Sequence, residues 1–174
     1  MNSIVLSNIT RFVALLAAQI LIFNNINLFS FITPYPYILF VILYPSEANK
    51  PLFYLSSFFL GLTIDMFENS GAIHAAACLI LAFCRPSLLK FSFGISYHYH
   101  NLNINKKVTY ELFKSTESFS YLILCIVTQH VVLFSLEIFR FNFFLDILLR
   151  TVLTTVATIL TSILIIFLIK PSKK

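Results

Sequence analysis

Formal charge is scarce in this chain, and long stretches carry none. Charged residues make up 11% of the 174 residues, whereas a soluble domain carries about a quarter. No formal charge occurs in residues 12–46, 118–136 or 151–169. Hydrocarbon accepts such segments, so the sequence predicts an all-α integral membrane protein. No hydrophilic block is long enough to fold separately, and we expect residues 1–174 to form a single polytopic membrane domain.

Cysteine pairs and catalytic motifs are also missing. The three cysteines, Cys78, Cys84 and Cys125, form no C-x-x-C pair, which indicates neither a disulfide framework nor a thiolate zinc site. The sequence contains no H-E-x-x-H and no G-x-S-x-G. We therefore expect a protein that is not an enzyme, with no catalytic residue, metal ligand or cofactor.

The apolar sequence is divided by short polar or proline-containing breaks into six segments. A helix needs roughly 20 apolar residues to cross the hydrocarbon. The predicted spans are residues 8–23, 36–44, 52–67, 72–83, 118–136 and 143–169, and the fourth has an alternative end toward Leu89, with Arg85 and Pro86 near that end. The second is short, so we expect it to thin the bilayer or to include part of residues 28–33.

The basic residues predict the orientation. Six spans place both termini on one side of the membrane. Nine of the twelve basic residues then share that side, and Arg140 falls in a turn on the other: the nine are Lys50, Arg85, Lys90, Lys106, Lys107, Lys114, Lys170, Lys173 and Lys174. The positive-inside rule predicts cytoplasmic termini. The net charge of +5 is thus expected to report orientation, not a nucleic-acid partner.

Three polar residues inside apolar segments are candidate sites. A charge at mid-bilayer depth costs about 2.5–3.5 kcal/mol, so Asp65 is expected near the outer boundary, paired or protonated. The alternative is a site for an ion, a proton or a partner. His74 and His130 are expected to hydrogen-bond across helices in preference to binding a metal.

Two further patterns lie in the last predicted span. Asp146 and Arg150 are four residues apart, which predicts an ion pair on one helical face. The alternative is an interhelical link from Arg150 to Asp65 or Glu137. A hydroxyl face predicts either contact with a neighbouring helix or bonding to carbonyls of its own helix, and comprises Thr151, Thr154, Thr155, Thr158, Thr161 and Ser162.

Several short motifs occur in a definite order. Residues 34–40 read P-Y-P-Y-I-L-F, Gly61 and Asp65 form G-x-x-x-D, residues 71–75 form G-x-x-H-A, and residues 85–86 are R-P. Together with residues 130–139, these motifs resemble the landmarks of the MreD family of rod shape-determining proteins, particularly its Bacteroidota-like branch.

This resemblance implies a non-enzymatic scaffold of the cell-elongation machinery in the bacterial inner membrane. Such a scaffold would support cell shape and peptidoglycan synthesis through contacts with MreC, the MreB filament and the RodA–transpeptidase pair. The family's fold is similar to the six-helix substrate-binding subunits of energy-coupling-factor transporters. A small-ligand-binding transporter subunit is therefore the alternative, with a cavity near Asp65, His74, His130 and Arg150 open to the outer side.

Overall fold

The structure, a computed structural model, describes residues 3–26, 32–45, 49–94, 112, 115–137 and 144–169, with the backbone alone at residues 3, 4, 144, 146 and 147. Helix α1 is Ser3–Leu21, and a 3₁₀ turn follows at Phe23–Asn25. A second 3₁₀ turn, Pro36–Ile38, leads into the short helix α2, Leu39–Ile42. The remaining helices are α3 (Lys50–Glu68), α4 (Ile73–Phe93), α5 (Thr116–Glu137) and α6 (Phe144–Ile169).

In the described part of the chain, four segments are long and apolar enough to cross a membrane: Val5–Asn25, Ile73–Phe93, Thr116–Glu137 and Leu148–Ile169. The described residues form helices and no β-strand, so the predicted all-α class is confirmed for them. Helix α3 has 19 residues but includes Lys50, Asp65 and Glu68. The described part of the second predicted span is a 3₁₀ turn and a four-residue helix. Crossing by these two segments stays a prediction.

Helix α4 takes the longer of its two predicted ends and passes it. The sequence predicts an end at residue 83 or toward Leu89, and the helix continues through Pro86 to Phe93. Arg85 therefore lies inside the helix and is buried. The apolar run was interrupted by charge at this point, but a helix can continue where its charged side chain finds partners inside the protein.

Apolar side chains fill most of the interior and also cover the outer faces of the long helices. Large apolar side chains point outward on every long helix; Phe83, for example, is 75% exposed. The interior contains an unusual set of polar side chains: Gln19, Ser57, Asp65, His74, Arg85, Ser118, Gln129, His130, Thr154, Thr155, Thr158 and Ser162. Lipid accepts the apolar surface, and polar groups at membrane depth face the bundle interior.

The segment from Tyr37 to Tyr44 forms the centre of the bundle. Each of its eight residues is at most 4% exposed. Helix α1 and helix α4 contact α2, and α6 contacts the 3₁₀ turn that precedes it. Irregular backbone at membrane depth is tolerated where it is buried in protein, and this enclosure supplies that condition.

Successive segments of the chain alternate in direction. The order of contacts shows this for α1 and the central segment, for α3 and α4, for α4 and α5, and for α5 and α6. For α1 and the central segment, the contacts are Gln19 with Pro34 and Arg11 with Leu43; for α3 and α4, Asp65 with His74. For α4 and α5, they are Cys78 with Gln129 and Arg85 with Tyr121; for α5 and α6, His130 with Thr158 and Glu137 with Arg150. The turn between α3 and α4 therefore lies at the same end of the bundle as Glu137 and Arg150.

Helices α3 and α4 pack closely against each other at Gly61. A Cβ atom at this position would lie 2.5 Å from the carbonyl oxygen of His74 and 2.6 Å from the Cα of Ala75. Both are backbone atoms, which cannot move aside as a flexible side chain can. The glycine of the G-x-x-x-D motif thus permits the two backbones to touch, as small residues do in membrane helix pairs.

We predict that Gly61→Ala destabilises the protein by roughly 1–3 kcal/mol, because the added methyl group forces α3 away from α4. The same change in an unconstrained helix would stabilise it by about 0.5–1 kcal/mol. The free energy of unfolding in detergent measures the effect. Gly71→Ala is the control: its φ of +69° gives a backbone cost of about 1–2 kcal/mol, but no atom lies within 4 Å of the added Cβ. A Gly61→Ala variant that is as stable as the unsubstituted protein, or more stable, would contradict the close contact.

Candidate functional site

Asp65 caps the start of helix α4. Its Oδ1 accepts a hydrogen bond from the backbone N–H of His74 at 2.9 Å, and its Oδ2 accepts one from the N–H of Ala75 at 2.8 Å. The Ser70 hydroxyl donates to Oδ1 as well. These amides belong to the first turn of α4, where backbone N–H groups have no partner within the helix. A carboxylate is the strongest such cap, because it also interacts with the positive end of the helix dipole.

The turn between α3 and α4 brings Asp65 to this position. Asn69, Gly71 and Ala72 all have left-handed backbone, with φ values of 54°, 69° and 69°. Asparagine and glycine adopt this conformation readily, whereas Ala72 does so at a cost of about 1–2 kcal/mol. The backbone carbonyl of Asp65 closes the turn by accepting from the N–H of Asn69 and of Ser70. Asp65 therefore ends one helix with its main chain and begins the next with its side chain.

His74 connects three elements of the bundle. Its Nε2 lies 2.9 Å from Oε2 of Glu68, and its Nδ1 lies 2.8 Å from the Tyr37 hydroxyl. Gln129 of α5 donates from Nε2 to the same hydroxyl at 3.3 Å. These four side chains, which we call the outer chain, link α3, α4, α5 and the central segment. His74 thus hydrogen-bonds across helices, as the sequence predicts.

His130 anchors α6 and the start of the central segment. Its Nδ1 lies 2.8 Å from the carbonyl oxygen of Ile126, and its Nε2 lies 3.2 Å from the Thr158 hydroxyl. That hydroxyl also accepts from the backbone N–H of Tyr35 at 3.1 Å. The Tyr35 ring packs between the rings of His74 and His130, with centroid distances of 5.1 and 6.0 Å. The hydroxyl face of α6 is therefore turned into the bundle at Thr158.

For the rest of that hydroxyl face, the two predicted alternatives are contact with a neighbouring helix and bonding to carbonyls of α6 itself. Thr161 donates to the carbonyl oxygens of Ala157 and Thr158 in its own helix. Thr154 and Thr155 are buried, and their hydroxyls have no hydrogen-bond partner in the described structure. The face is therefore an interior surface of this chain and not an outward one.

Arg150 pairs with Glu137 across the ends of α5 and α6. Its Nη1 donates to Oε1 of Glu137 at 3.2 Å, and both side chains are partly exposed. Of the two interhelical links that the sequence suggests, the structure forms the one to Glu137 and not the one to Asp65. The Asp146 side chain lies outside the described part of the structure, so its pairing with Arg150 stays a prediction.

Arg85 binds the carbonyl groups at the opposite end of the central segment. Its Nη2 donates to the carbonyl oxygens of Ile42 and Tyr44, and its Nε donates to the Tyr121 hydroxyl at 2.9 Å. The Tyr121 hydroxyl in turn donates to the Ile42 carbonyl at 3.2 Å. A cation at a helix C-terminus pairs with the negative end of the dipole and with carbonyls that lack helical partners.

Together with Arg85 and Tyr121, Arg11 and Phe53 form what we call the inner cluster. Arg11 donates from Nη1 to the carbonyl oxygen of Leu43 at 3.1 Å, and the Arg85 guanidinium lies 5.0 Å from the centroid of the Phe53 ring. The sequence analysis missed the cluster because it used Arg85 only as a marker of orientation. No local sequence pattern identifies the cluster, because Arg11 and Arg85 lie 32 and 41 positions along the chain from Leu43 and Tyr44, respectively.

The side-chain polar groups of Asp65, His74 and His130 are occupied by structural contacts. Both oxygens of Asp65 bind the backbone of α4, and both ring nitrogens of His74 and of His130 have partners. Within the described ranges, no group of three or more His, Cys, Asp or Glu side chains is arranged to hold a metal ion. The arrangement supports helix association more directly than it supports a reaction.

Comparisons with family models, with curated proteins and with solved structures found no match for this chain.

We predict that Asp65→Ala destabilises the protein by about 2–4 kcal/mol, because two buried N–H groups of α4 lose their acceptor. Asp65→Asn keeps one acceptor oxygen and is expected to lose about half as much. The measurement is the free energy of unfolding in detergent. Thr63→Ala on the same helix is the control, since its hydroxyl bonds only to the Phe59 carbonyl of α3. If Asp65→Ala is as stable as this control, Asp65 does not act as a helix cap.

Proposed function

We propose that this protein is a non-enzymatic, MreD-like scaffold of the cell-elongation machinery in the bacterial inner membrane. It would contact MreC and, with it, the MreB filament and the RodA–transpeptidase pair, and would thereby support cell shape and peptidoglycan synthesis. The observation that carries the proposal is that the residues of the resemblance have linked structural roles. Gly61 admits the backbone of α4, Asp65 caps it, His74 bonds to Tyr37, and Arg85 holds the end of the central segment.

A scaffold of this kind needs a defined shape more than a reactive group. The polar groups of the interior fix how the helices pack, and apolar side chains cover the outer faces of the long helices. In lipid, helices associate through close packing and interhelical hydrogen bonds, without a hydrophobic driving force. We therefore place the contacts with MreC on the outer faces of the bundle, where partner helices compete with lipid.

The proposed topology has six crossings and cytoplasmic termini. Its support is the alternation in direction of the six successive segments, including the two that are shorter or more polar than ordinary spans. An even number of crossings returns the C-terminus to the side of the N-terminus. Lys50 and Lys90 then lie at the end opposite the α3–α4 turn, which the positive-inside rule assigns to the cytoplasm.

Reporter fusions test this topology. We expect green fluorescent protein to fluoresce, and alkaline phosphatase to be inactive, when either is fused after Lys174 at the C-terminus. Alkaline phosphatase fused after Ser70, in the α3–α4 turn, is expected to be active because that turn would face the periplasm. An active phosphatase at the C-terminus, or an inactive one at Ser70, would contradict six crossings.

The scaffold itself is tested by affinity purification in mild detergent and by depletion. We expect MreC to copurify with the tagged full-length protein, and depleted rod-shaped cells to widen and become round because lateral wall synthesis loses its organisation. Asp65→Ala, which disturbs the fold, should lose both the copurification of MreC and the support of cell shape. The control Thr63→Ala should keep both. Cells that keep their width after depletion would refute the proposal. A copurified vitamin-like molecule in native mass spectrometry, without MreC, would favour the transporter subunit instead.

A further inference from the structure

The outer chain ends in a buried acceptor that has no partner. Glu68, His74, Tyr37 and Gln129 are joined in that order by contacts of 2.9, 2.8 and 3.3 Å. The second N–H of Gln129 donates to the sulfur of Cys78 at 3.7 Å. Among the described residues, the buried carbonyl oxygen of Gln129 accepts no hydrogen bond, and the whole residue is 0% exposed. A buried acceptor without a partner requires an explanation, because leaving it unpaired is costly.

The chemistry of each group fixes the direction of the hydrogen bonds. An ionised Glu68 only accepts, so Nε2 of a neutral His74 must carry the ring hydrogen, and Nδ1 must then accept. Tyr37 therefore donates its hydroxyl hydrogen to Nδ1. The Tyr37 oxygen is left to accept from Gln129, whose N–H groups point to Tyr37 and Cys78. In this state the Gln129 carbonyl has nothing to accept from.

One added proton reverses the two bonds that run from His74 through Tyr37 to Gln129. If His74 takes the proton, both its nitrogens donate, and Glu68 remains an acceptor. If Glu68 takes it, the acid donates to Nε2, and the single ring hydrogen moves to Nδ1. In both cases Nδ1 donates to Tyr37, which must turn its own hydrogen toward Gln129. Rotation of the Gln129 amide then exchanges the positions of its oxygen and nitrogen. The oxygen accepts from Tyr37, and the N–H groups move to the position that the oxygen held.

We propose that Glu68 and His74 form a binding site for a single proton, and that its uptake from the side of the membrane where the α3–α4 turn lies reverses the hydrogen bonds of Tyr37 and Gln129. Glu68 is the more exposed member of the pair, with a side chain 20% exposed against 3% for His74, and its Oε1 is buried without a hydrogen-bond partner among the described residues. The site would report the acidity at that surface to α5, inside the bundle. The inference does not depend on the identity of the scaffold's partners.

The other titratable and charged groups around His74 have contacts of their own. Asp65 of α3 binds the first turn of α4, Cys78 of α4 accepts from Gln129, and Glu137 pairs with Arg150. The remaining neighbours are Tyr35 of the central segment, which packs on the His74 ring, and His130 of α5, which bonds to Ile126 and Thr158. Glu68 and Tyr37 are thus the side chains that bond the His74 ring.

Nitrogen NMR of the full-length protein in lipid nanodiscs, with ¹⁵N-labelled histidine and glutamine, tests the proposal. The His74 ring is assigned by its contact with Tyr37, and the His130 ring by its contact with Thr158. At high pH we expect hydrogen on Nε2 of His74 and none on Nδ1. As the pH falls, Nδ1 should gain hydrogen while the Gln129 amide signals shift at the same midpoint. Hydrogen on Nδ1 at high pH, or a His74 transition without a Gln129 response, would overturn it.

A matched pair of substitutions distinguishes an effect of the hydrogen-bonded outer chain from a general effect of packing. Gln129→Leu removes the acceptor of the reversed chain, so the midpoint of His74 should move about one pH unit lower, the equivalent of one hydrogen bond. Gln19→Leu changes an equally buried glutamine on α1, which bonds to Asn24 and Pro34, and should leave the midpoint in place. Equal midpoints in the two variants would refute reversal through Gln129.

Discussion

Peptide groups at the ends of buried helices have no water to bond with, and this constraint organises the bundle. The first amides of α4 and the last carbonyls of the central segment lie inside the protein. They are satisfied by Asp65 from α3, by Arg85 from α4 and by Arg11 from α1. Each such bond joins two elements at one axial position. Apolar packing alone would allow a helix in lipid to slide or rotate against its neighbour, so these caps fix the register.

The outer chain depends on the same geometry. Close contact at Gly61 brings α3 near enough for Asp65 to reach the amide of His74, and the capped amide fixes the position of the His74 ring. The ring then meets Tyr37 on one side and Glu68 on the other. A change that separates α3 from α4 would therefore disturb the cap and the hydrogen-bonded chain together. Structural support and proton response are properties of one arrangement.

The sequence predicts the long helices well because a membrane span is a local property of composition. It predicts less about segment 36–44, since an apolar run looks the same whether lipid or protein surrounds it, and only the positions of the other helices distinguish the two. The sequence singles out Asp65 as a polar residue in an apolar run, but its position at the start of α4 needs the left-handed turn at residues 69–72, which no periodicity reveals. The contacts of Arg85 join residues about 40 positions apart in the chain, so flanking composition suggested only an interfacial charge.

The separation of interior and outer surface bears on how a partner could be recognised. Interior polar groups are committed to bonds between helices of this chain, so replacing them tests the fold first and association only through the fold. The outward faces of the long helices are apolar, and α6 exposes Leu148, Val152, Val156 and Leu160 along one such face. In lipid this surface gains nothing from apolar burial, because acyl chains are equally apolar. Specific association must then depend on how closely a partner helix fits the shape that the interior bonds impose.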